Sequence, residues 1–238
     1  MKLSPNKTKL QVFYTKNMSD VVRYAMITNP VRLNKEQINF SVNAEHVGIL
    51  RSSTGNQVTI LARITQHRKA LHAVMHTGLA RSHRSNPTAS LAVACLYCLP
   101  VLLSGLAPLV MTKSEESLVE NHQKETILNL QRLLPRTPAP VIYFLAGSLP
   151  GRAHLHLRKL TIFGMICRMT SNFLHSYALN LFQHGDPPFR SWFYQVLDLC
   201  KKYSLPTPLE LLQNPLQKST YKKLIKNKVI DHCERASC

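Results

Sequence analysis

From Gly55 onward the apolar residues recur every three or four positions, which is the spacing of one face of an α-helix. The apolar face of the first predicted helix contains Ile60, Ile64, Leu71, Met75 and Leu79. The opposite face contains Thr65, Lys69, His72 and His76. We expect this helix to end near Ser82, because the segment 84–87 (RSNP) is typical of a helix stop followed by a new start.

The same spacing, together with residues that favour helix starts, predicts further helices along the chain. Ser114 precedes Glu115 and Glu116, an arrangement typical of a helix N-terminus. Ser191 stands in the same way before an apolar run. The predicted helical ranges are 87–99, 115–134, 155–182, a helix that begins after Ser191, a short turn from 207 or 208 to 212, and 218–234.

Residues 1–54 have a different pattern, with short stretches that favour β-strands at 10–14, 38–40 and 46–50. Prolines 135, 138 and 140 interrupt the helical part and predict a linker. The sequence therefore predicts a mainly α fold with a small N-terminal β region. Its expected divisions are 1–54 (strands), 55–134 (first helical region) and 135–238 (C-terminal helical region).

The segment 85–112 carries no charged residue, and 89–111 is long enough to span a bilayer. Pro100, Pro108 and Gly105 interrupt a uniform helix there. We expect a buried helix, with a membrane span as the alternative.

Composition adds a strong charge asymmetry: thirty lysine and arginine residues face twelve acidic ones, a formal net charge of +18. No carboxylate occurs between Glu45 and Glu115, nor between Glu125 and Asp186. Such an excess predicts a polyanionic partner, nucleic acid first and an anionic membrane second. A generally basic surface without a specific partner is the alternative.

The sequence gives little support for a metal site or a redox site. Cys95 and Cys98 have the spacing of half a zinc site, but no second pair follows nearby. His72 and His76 share a helix face with Lys69, whose charge disfavours a cation. The N-terminal residues lack the apolar core of a secretory signal. We predict no metal site, free thiols and an intracellular protein, nuclear or cytoplasmic, that is not secreted.

Several longer segments resemble one protein family. They are AEHVGILRSSTGN, ILARITQHRKAL, GLARSHRSNPTASL and PVLLSGLAPLV in the first half, and FLAGSLPGRAHLHLRKLTIFGMICR, SWF and CKKYSLPTPLELL in the second. Together they resemble the thumb and post-thumb region of reverse transcriptases (RNA-directed DNA polymerases) from non-LTR, LINE-type retrotransposons. The resemblance implies that residues 1–54 correspond to the last strands of a polymerase palm.

The family's metal-binding aspartate pair has no counterpart in this chain. In the family it lies upstream of a KTKL-type strand, which here is Lys7–Leu10, and the sequence contains no Asp-Asp pair. His46 and Val47 also replace the Tyr-Leu that often precedes the glycine at Gly48. We therefore assign no catalytic residue and no cofactor, since Mg²⁺ belongs only to the intact parent enzyme. The expected function is that of a truncated or domesticated remnant that binds nucleic acid without catalysis.

Two other functions stay open from the sequence: the C-terminal part of an active reverse transcriptase, and a small membrane protein spanning at 89–111. In the preferred reading the partner is a duplex or an RNA–DNA hybrid, bound with low sequence specificity. Arg68 also falls within the apolar stripe, where it could instead cover the core. The candidate nucleic-acid-binding residues are Arg63, Arg68, Lys69, Arg81, His83 and Arg84, with Lys222 and Lys223 as a second, weaker group.

Overall fold

The computed structural model describes residues 9–10, 32–33, 36–37, 39–40, 43–46, 49–53, 55–76 and 86–235. The chain divides into two compact units, residues 1–62 and residues 63–238. The protein is mainly helical with a small antiparallel sheet near the N-terminus, which confirms the predicted fold class.

The described strands of the first unit are short and form separate pairs. They are β1 Lys9–Leu10, β2 Arg32–Leu33, β3 Glu36–Gln37, β4 Asn39–Phe40, β5 Asn43–His46 and β6 Ile49–Ser52. β1 pairs with β4 in parallel, whereas β2–β3 and β5–β6 are antiparallel. Of the predicted strands, 38–40 overlaps β4 and 46–50 overlaps the β5–β6 hairpin, while residues 11–14 and 47–48 lie outside the described residues.

Helices make up most of the rest of the described chain. They are α1 Gln57–Val74, α2 Pro87–Val93, α3 Leu99–Leu103, α4 Lys113–Gln131, α5 Ala139–Ala146, α6 Gly151–Arg168, α7 Phe173–Gln183, α8 Trp192–Lys202, α9 Pro208–Gln213 and α10 Lys218–Arg235. A π-helical turn, Ala94–Cys98, joins α2 directly to α3.

The π-turn has a local cause in Pro100. Proline lacks an N–H group and its ring clashes with the carbonyl one α-helical turn earlier. Here the N–H of Leu99 donates to the carbonyl of Ala94, one residue further back than in an α-helix, so the chain passes Pro100 without breaking the helical run. Leu102 and Leu103 are buried, whereas Leu96 and Tyr97 are exposed. Within the described residues, no helix combines the length and apolar character needed to cross a bilayer.

α6 forms the centre of the larger core. Its buried residues, among them Leu160 and Phe163, pack with residues of α8, α9 and α10, including Val196, Leu212 and Ile225. A smaller cluster joins α2, α4 and α5 through Leu91, Ala94, Ile127, Leu130, Ile142 and Tyr143.

Two differences from the predicted helices concern capping residues. The N-cap of α4 is Thr112, not Ser114: its side chain accepts from the N–H of Glu115, and the Glu115 side chain accepts from the N–H of Thr112. The predicted helix 155–182 is two helices, because Asn172 caps a new start at α7. α4 and α6, on either side of the proline-rich segment, pack together within residues 63–238.

Candidate functional site

α1 has one buried and one exposed side, as its sequence spacing predicts. Ile60, Ile64 and His67 are buried, and the Thr59 hydroxyl donates to the carbonyl of Leu50 at 2.7 Å. The exposed side contains Thr65, Lys69, His72 and His76, which confirms the predicted polar face.

The candidate basic residues of α1 do not share one environment. Arg68 and Lys69 are both exposed. Arg63 is only 6% exposed, and its Nη1 donates to Oε1 of Gln66 at 2.7 Å. Arg63 was expected on the basic surface, and the structure corrects this expectation. A guanidinium that is buried and hydrogen-bonded is poorly placed to contact an external phosphate. Arg81, His83 and Arg84 lie outside the described residues.

A pair of buried histidines fixes α1 to α4. Nδ1 of His67 lies 3.0 Å from Nε2 of His122, and the rings meet edge to face. Burial, followed by the charges of His122 and Arg68, lowers the pKa of His67 to about 4. Burial and the charge of Arg68 also lower the pKa of His122. Both rings are therefore neutral at pH 7, and one donates the shared hydrogen bond to the other.

The second candidate group lies on α10. Tyr221, Ile225 and Val229 form its buried side, and α10 packs against α6. Lys222 and Lys223 are exposed, as are Lys218 and Lys226. α10 thus presents a lysine-rich outer side.

α6 takes part in a buried polar network that no pattern in the sequence predicts. Nε of Arg152 lies 3.5 Å from Oε2 of Glu116 and 3.3 Å from Oε2 of Glu120. That nitrogen has the distance of an ion pair but not the alignment of a hydrogen bond, whereas Nη2 of Arg152 donates to Oγ of Ser117 at 2.9 Å. These contacts attach the first turn of α6 to α4.

One turn further along α6, His156 connects α4 to the end of α8. Its Nδ1 lies 2.6 Å from the hydroxyl of Tyr203, and its Nε2 lies 3.4 Å from Oε1 of Glu116. Burial lowers the pKa of His156 despite the opposing effect of Glu116, so the ring is neutral at pH 7. A neutral ring satisfies both partners when Nε2–H donates to Glu116 and Nδ1 accepts from Tyr203.

Glu116 itself stays ionised beside this neutral ring. Burial alone would raise its pKa, but the hydrogen bond from His156 and the charges of Lys159 and Arg152 lower it. The amino group of Lys159 is buried and donates to the carbonyl of Leu109 at 3.1 Å and to Oε1 of Gln195 at 2.5 Å. Burial lowers the pKa of Lys159 to about 8.

A cavity of about 250 Å³ lies beside this network. Arg152, Tyr203 and Lys202 line it together with Glu120, His232 and Cys233. Its lining has two cations, Arg152 and Lys202, and one carboxylate, Glu120, and it includes none of the candidate residues of α1 or α10. We interpret the network as a structural contact that connects α4, α6 and α8.

No cluster of three or more histidine, cysteine or acidic side chains with suitable geometry occurs in the part of the chain that the structure describes. Cys98 is fully buried and Cys95 is half-buried, both as free thiols. Burial raises the pKa of both cysteines, which disfavours the thiolate that a metal requires.

Comparison with known proteins identifies no relative. No protein-family model, curated protein or solved structure matches this chain.

Proposed function

We propose that this chain is a non-catalytic nucleic-acid-binding protein, derived from the thumb and post-thumb region of a LINE-type reverse transcriptase. One observation carries the proposal. α1 is a helix held on its inner side by Ile64 and the His67–His122 pair, and it presents Arg68 and Lys69 outward. A rigid helix with outward cations suits contact with the phosphates of a duplex or an RNA–DNA hybrid.

The charge of the protein supports the same partner. A net charge of +18 attracts polyanions over a distance and needs no base-specific contact. The lysine-rich side of α10, with Lys222 and Lys223, provides a second surface of the same character. Contacts of this kind position a nucleic acid without reading its sequence, so low sequence preference is expected.

Polymerisation is not part of the proposal. It requires carboxylates that hold two divalent metals, and the sequence contains no Asp-Asp pair. If the chain functions as the C-terminal part of an active reverse transcriptase, the same face of α1 serves as that enzyme's thumb. Both cases make the same binding prediction for this chain.

The test measures the affinity of the full chain for an RNA–DNA hybrid by fluorescence anisotropy over a range of salt concentrations. The variant Arg68→Ala/Lys69→Ala removes two outward cations from α1. We expect its affinity to fall roughly ten- to hundred-fold at low salt. Its logarithmic salt slope should decrease by about two, since each phosphate contact contributes about one.

The matched control is Lys113→Ala/Arg136→Ala, which removes the same charge from exposed positions outside α1. It should retain most of the affinity and most of the slope. Equal losses of affinity in the two double variants would show that binding depends on the general basicity of the protein and not on α1. Absence of binding by the unaltered chain at low salt would overturn the proposal altogether.

A further inference from the structure

The outer side of α7 carries two exposed aromatic rings that its own packing does not use. Phe173 is 78% exposed and Tyr177 is 48% exposed. They stand one helical turn apart, and their rings stack with centroids 6.1 Å apart and planes inclined by 23°. The inner side of α7 instead buries His175 and Ala178, and Nε2 of His175 faces the carbonyl of Leu212 in α9.

These exposed rings rest on a continuous series of further aromatic contacts. Tyr177 lies 6.0 Å from Phe193, and Phe193 lies 5.2 Å from Trp192, measured between centroids. The indole N–H of Trp192 donates to the carbonyl of Ala107 at 3.0 Å. Tyr177 is thus supported by Phe193 of α8, and Phe173 in turn stacks on Tyr177.

The surroundings of the rings favour an anionic ligand with hydrogen-bonding edges. Asn180 and Gln183 are exposed further along α7 and can donate and accept hydrogen bonds. No carboxylate occurs in the sequence between Glu125 and Asp186, so acidic repulsion is absent from α7 itself. Arg168 precedes α7, and Arg190 follows it with its guanidinium 5.8 Å from the ring of Phe189.

We propose that the outer side of α7 is a stacking platform for the bases of single-stranded nucleic acid, with Phe173 and Tyr177 as the stacking residues. Every base has a flat π-face, so stacking of this kind tolerates any sequence, while the protein's net charge of +18 attracts the phosphates. The site goes beyond the duplex-binding function proposed for α1. It uses other residues, another form of nucleic acid and base contacts instead of phosphate contacts.

The experiment uses the full chain and a fluorescently labelled twelve-nucleotide oligo(U), with a strand of the same length and charge that lacks bases as the second probe. Phe173→Ala and Tyr177→Ala each remove one exposed ring. We expect each to weaken oligo(U) binding by about ten-fold. Binding of the abasic strand should be weaker in the unaltered chain and insensitive to both substitutions.

The matched control is Phe144→Ala, which removes a ring that is 84% exposed on α5. It should leave oligo(U) affinity unchanged. Trp192 is the only tryptophan of the chain and belongs to the same aromatic series, so its fluorescence should change when oligo(U) binds.

Affinity for the RNA–DNA hybrid separates this proposal from the function assigned to α1. Phe173→Ala and Tyr177→Ala should leave hybrid binding intact, whereas Arg68→Ala/Lys69→Ala should weaken it. Oligo(U) affinity that is unchanged in the Phe173→Ala/Tyr177→Ala double variant would overturn the stacking platform. It would also be overturned if the double variant lost binding to anionic phosphatidylserine vesicles while keeping that to oligo(U), because the rings would then serve a lipid surface.

Discussion

Polar side chains on α6 contact partners that are distant in sequence. Arg152 reaches Glu116 and Glu120, and His156 reaches Tyr203. A buried polar group without a partner costs about 1–3 kcal/mol, so the hydrogen bond of the buried His156 removes a penalty that this ring would otherwise carry. The sequence gives only the polar residues, and the pairing depends on how three helices meet.

The hydroxyl of Tyr203 offers a direct test of that network. Tyr203→Phe leaves Nδ1 of His156 buried without its 2.6 Å partner. We expect the free energy of unfolding to fall by about 1–3 kcal/mol, measured by equilibrium urea denaturation.

Tyr143→Phe is the matched control for this substitution. Tyr143 is similarly buried, but its hydroxyl donates to the carbonyl of Glu120 at the long distance of 3.5 Å. It should therefore lose clearly less stability than Tyr203→Phe. Equal losses would mean that the His156–Tyr203 hydrogen bond contributes nothing specific.

Among the helices, starts that depend on local residues were predictable and those that depend on tertiary packing were not. Ser191 caps α8 and Thr207 caps α9, as their positions before apolar runs indicate. The break before α7 was missed because the apolar spacing continues across Asn172, although Asn172 is itself a good capping residue. Periodicity reports which face is apolar, and it does not report where one helix must turn to cover another.

The residues of the candidate nucleic-acid surface also differ in whether the sequence alone predicts their exposure or tertiary packing decides it. The helical period alone places Lys69, His72 and His76 on the outer side of α1, where the structure has them. Arg63 lies at the margin of the apolar stripe, and only its surroundings decide that it is buried. The exposed rings on α7 were missed because Phe and Tyr in an amphipathic helix normally indicate core.

The contact between α6 and α10 depends on the absence of a side chain at Gly164. A β-carbon at this position would overlap the ring of Tyr221, which is 2% exposed and donates its hydroxyl to the carbonyl of Leu160 at 3.0 Å. Because the ring is enclosed, it cannot move aside without disturbing α10. We expect Gly164→Ala to lower the free energy of unfolding by about 1–3 kcal/mol, although alanine is the better helix former.

Met165→Ala provides the comparison on the same helix. Met165 is 47% exposed, so its truncation should change stability by less than about 0.5 kcal/mol. Urea denaturation of both variants gives the difference. A Gly164→Ala protein as stable as the unaltered chain would show that α10 is not closely packed on α6.

For the protein as a whole, the excess of positive charge coincides with histidines that are neutral in the folded state. Burial lowers the pKa of His67 and of His154 to about 4, from a usual value of 6.5. Burial also lowers the pKa of His122 and His156. The unfolded chain binds protons at these residues at a higher pH than the folded chain does, so acid favours unfolding.

The lowered pKa values of these histidines set the pH range in which acid destabilises the fold. A histidine whose folded pKa is depressed contributes no penalty above pH 6.5, and the fold loses stability as the pH falls from about 6.5 toward 4. Each proton contributes a slope of up to about 1.4 kcal/mol per pH unit. We expect the free energy of unfolding from urea denaturation to fall clearly between pH 7 and pH 5, above the range in which carboxylates titrate.

Substitutions distinguish the effect of the buried histidines on acid stability from the effect of the protein's net positive charge. His67→Gln should make the fall between pH 7 and pH 5 shallower, whereas His72→Gln, at an exposed position of the same helix, should leave it unchanged. Added salt screens the repulsion among the charges of a +18 protein but cannot hydrate a buried ring, so the difference between the two variants should persist at high salt. If salt abolished it, surface repulsion rather than burial of His67 would be the cause of acid sensitivity.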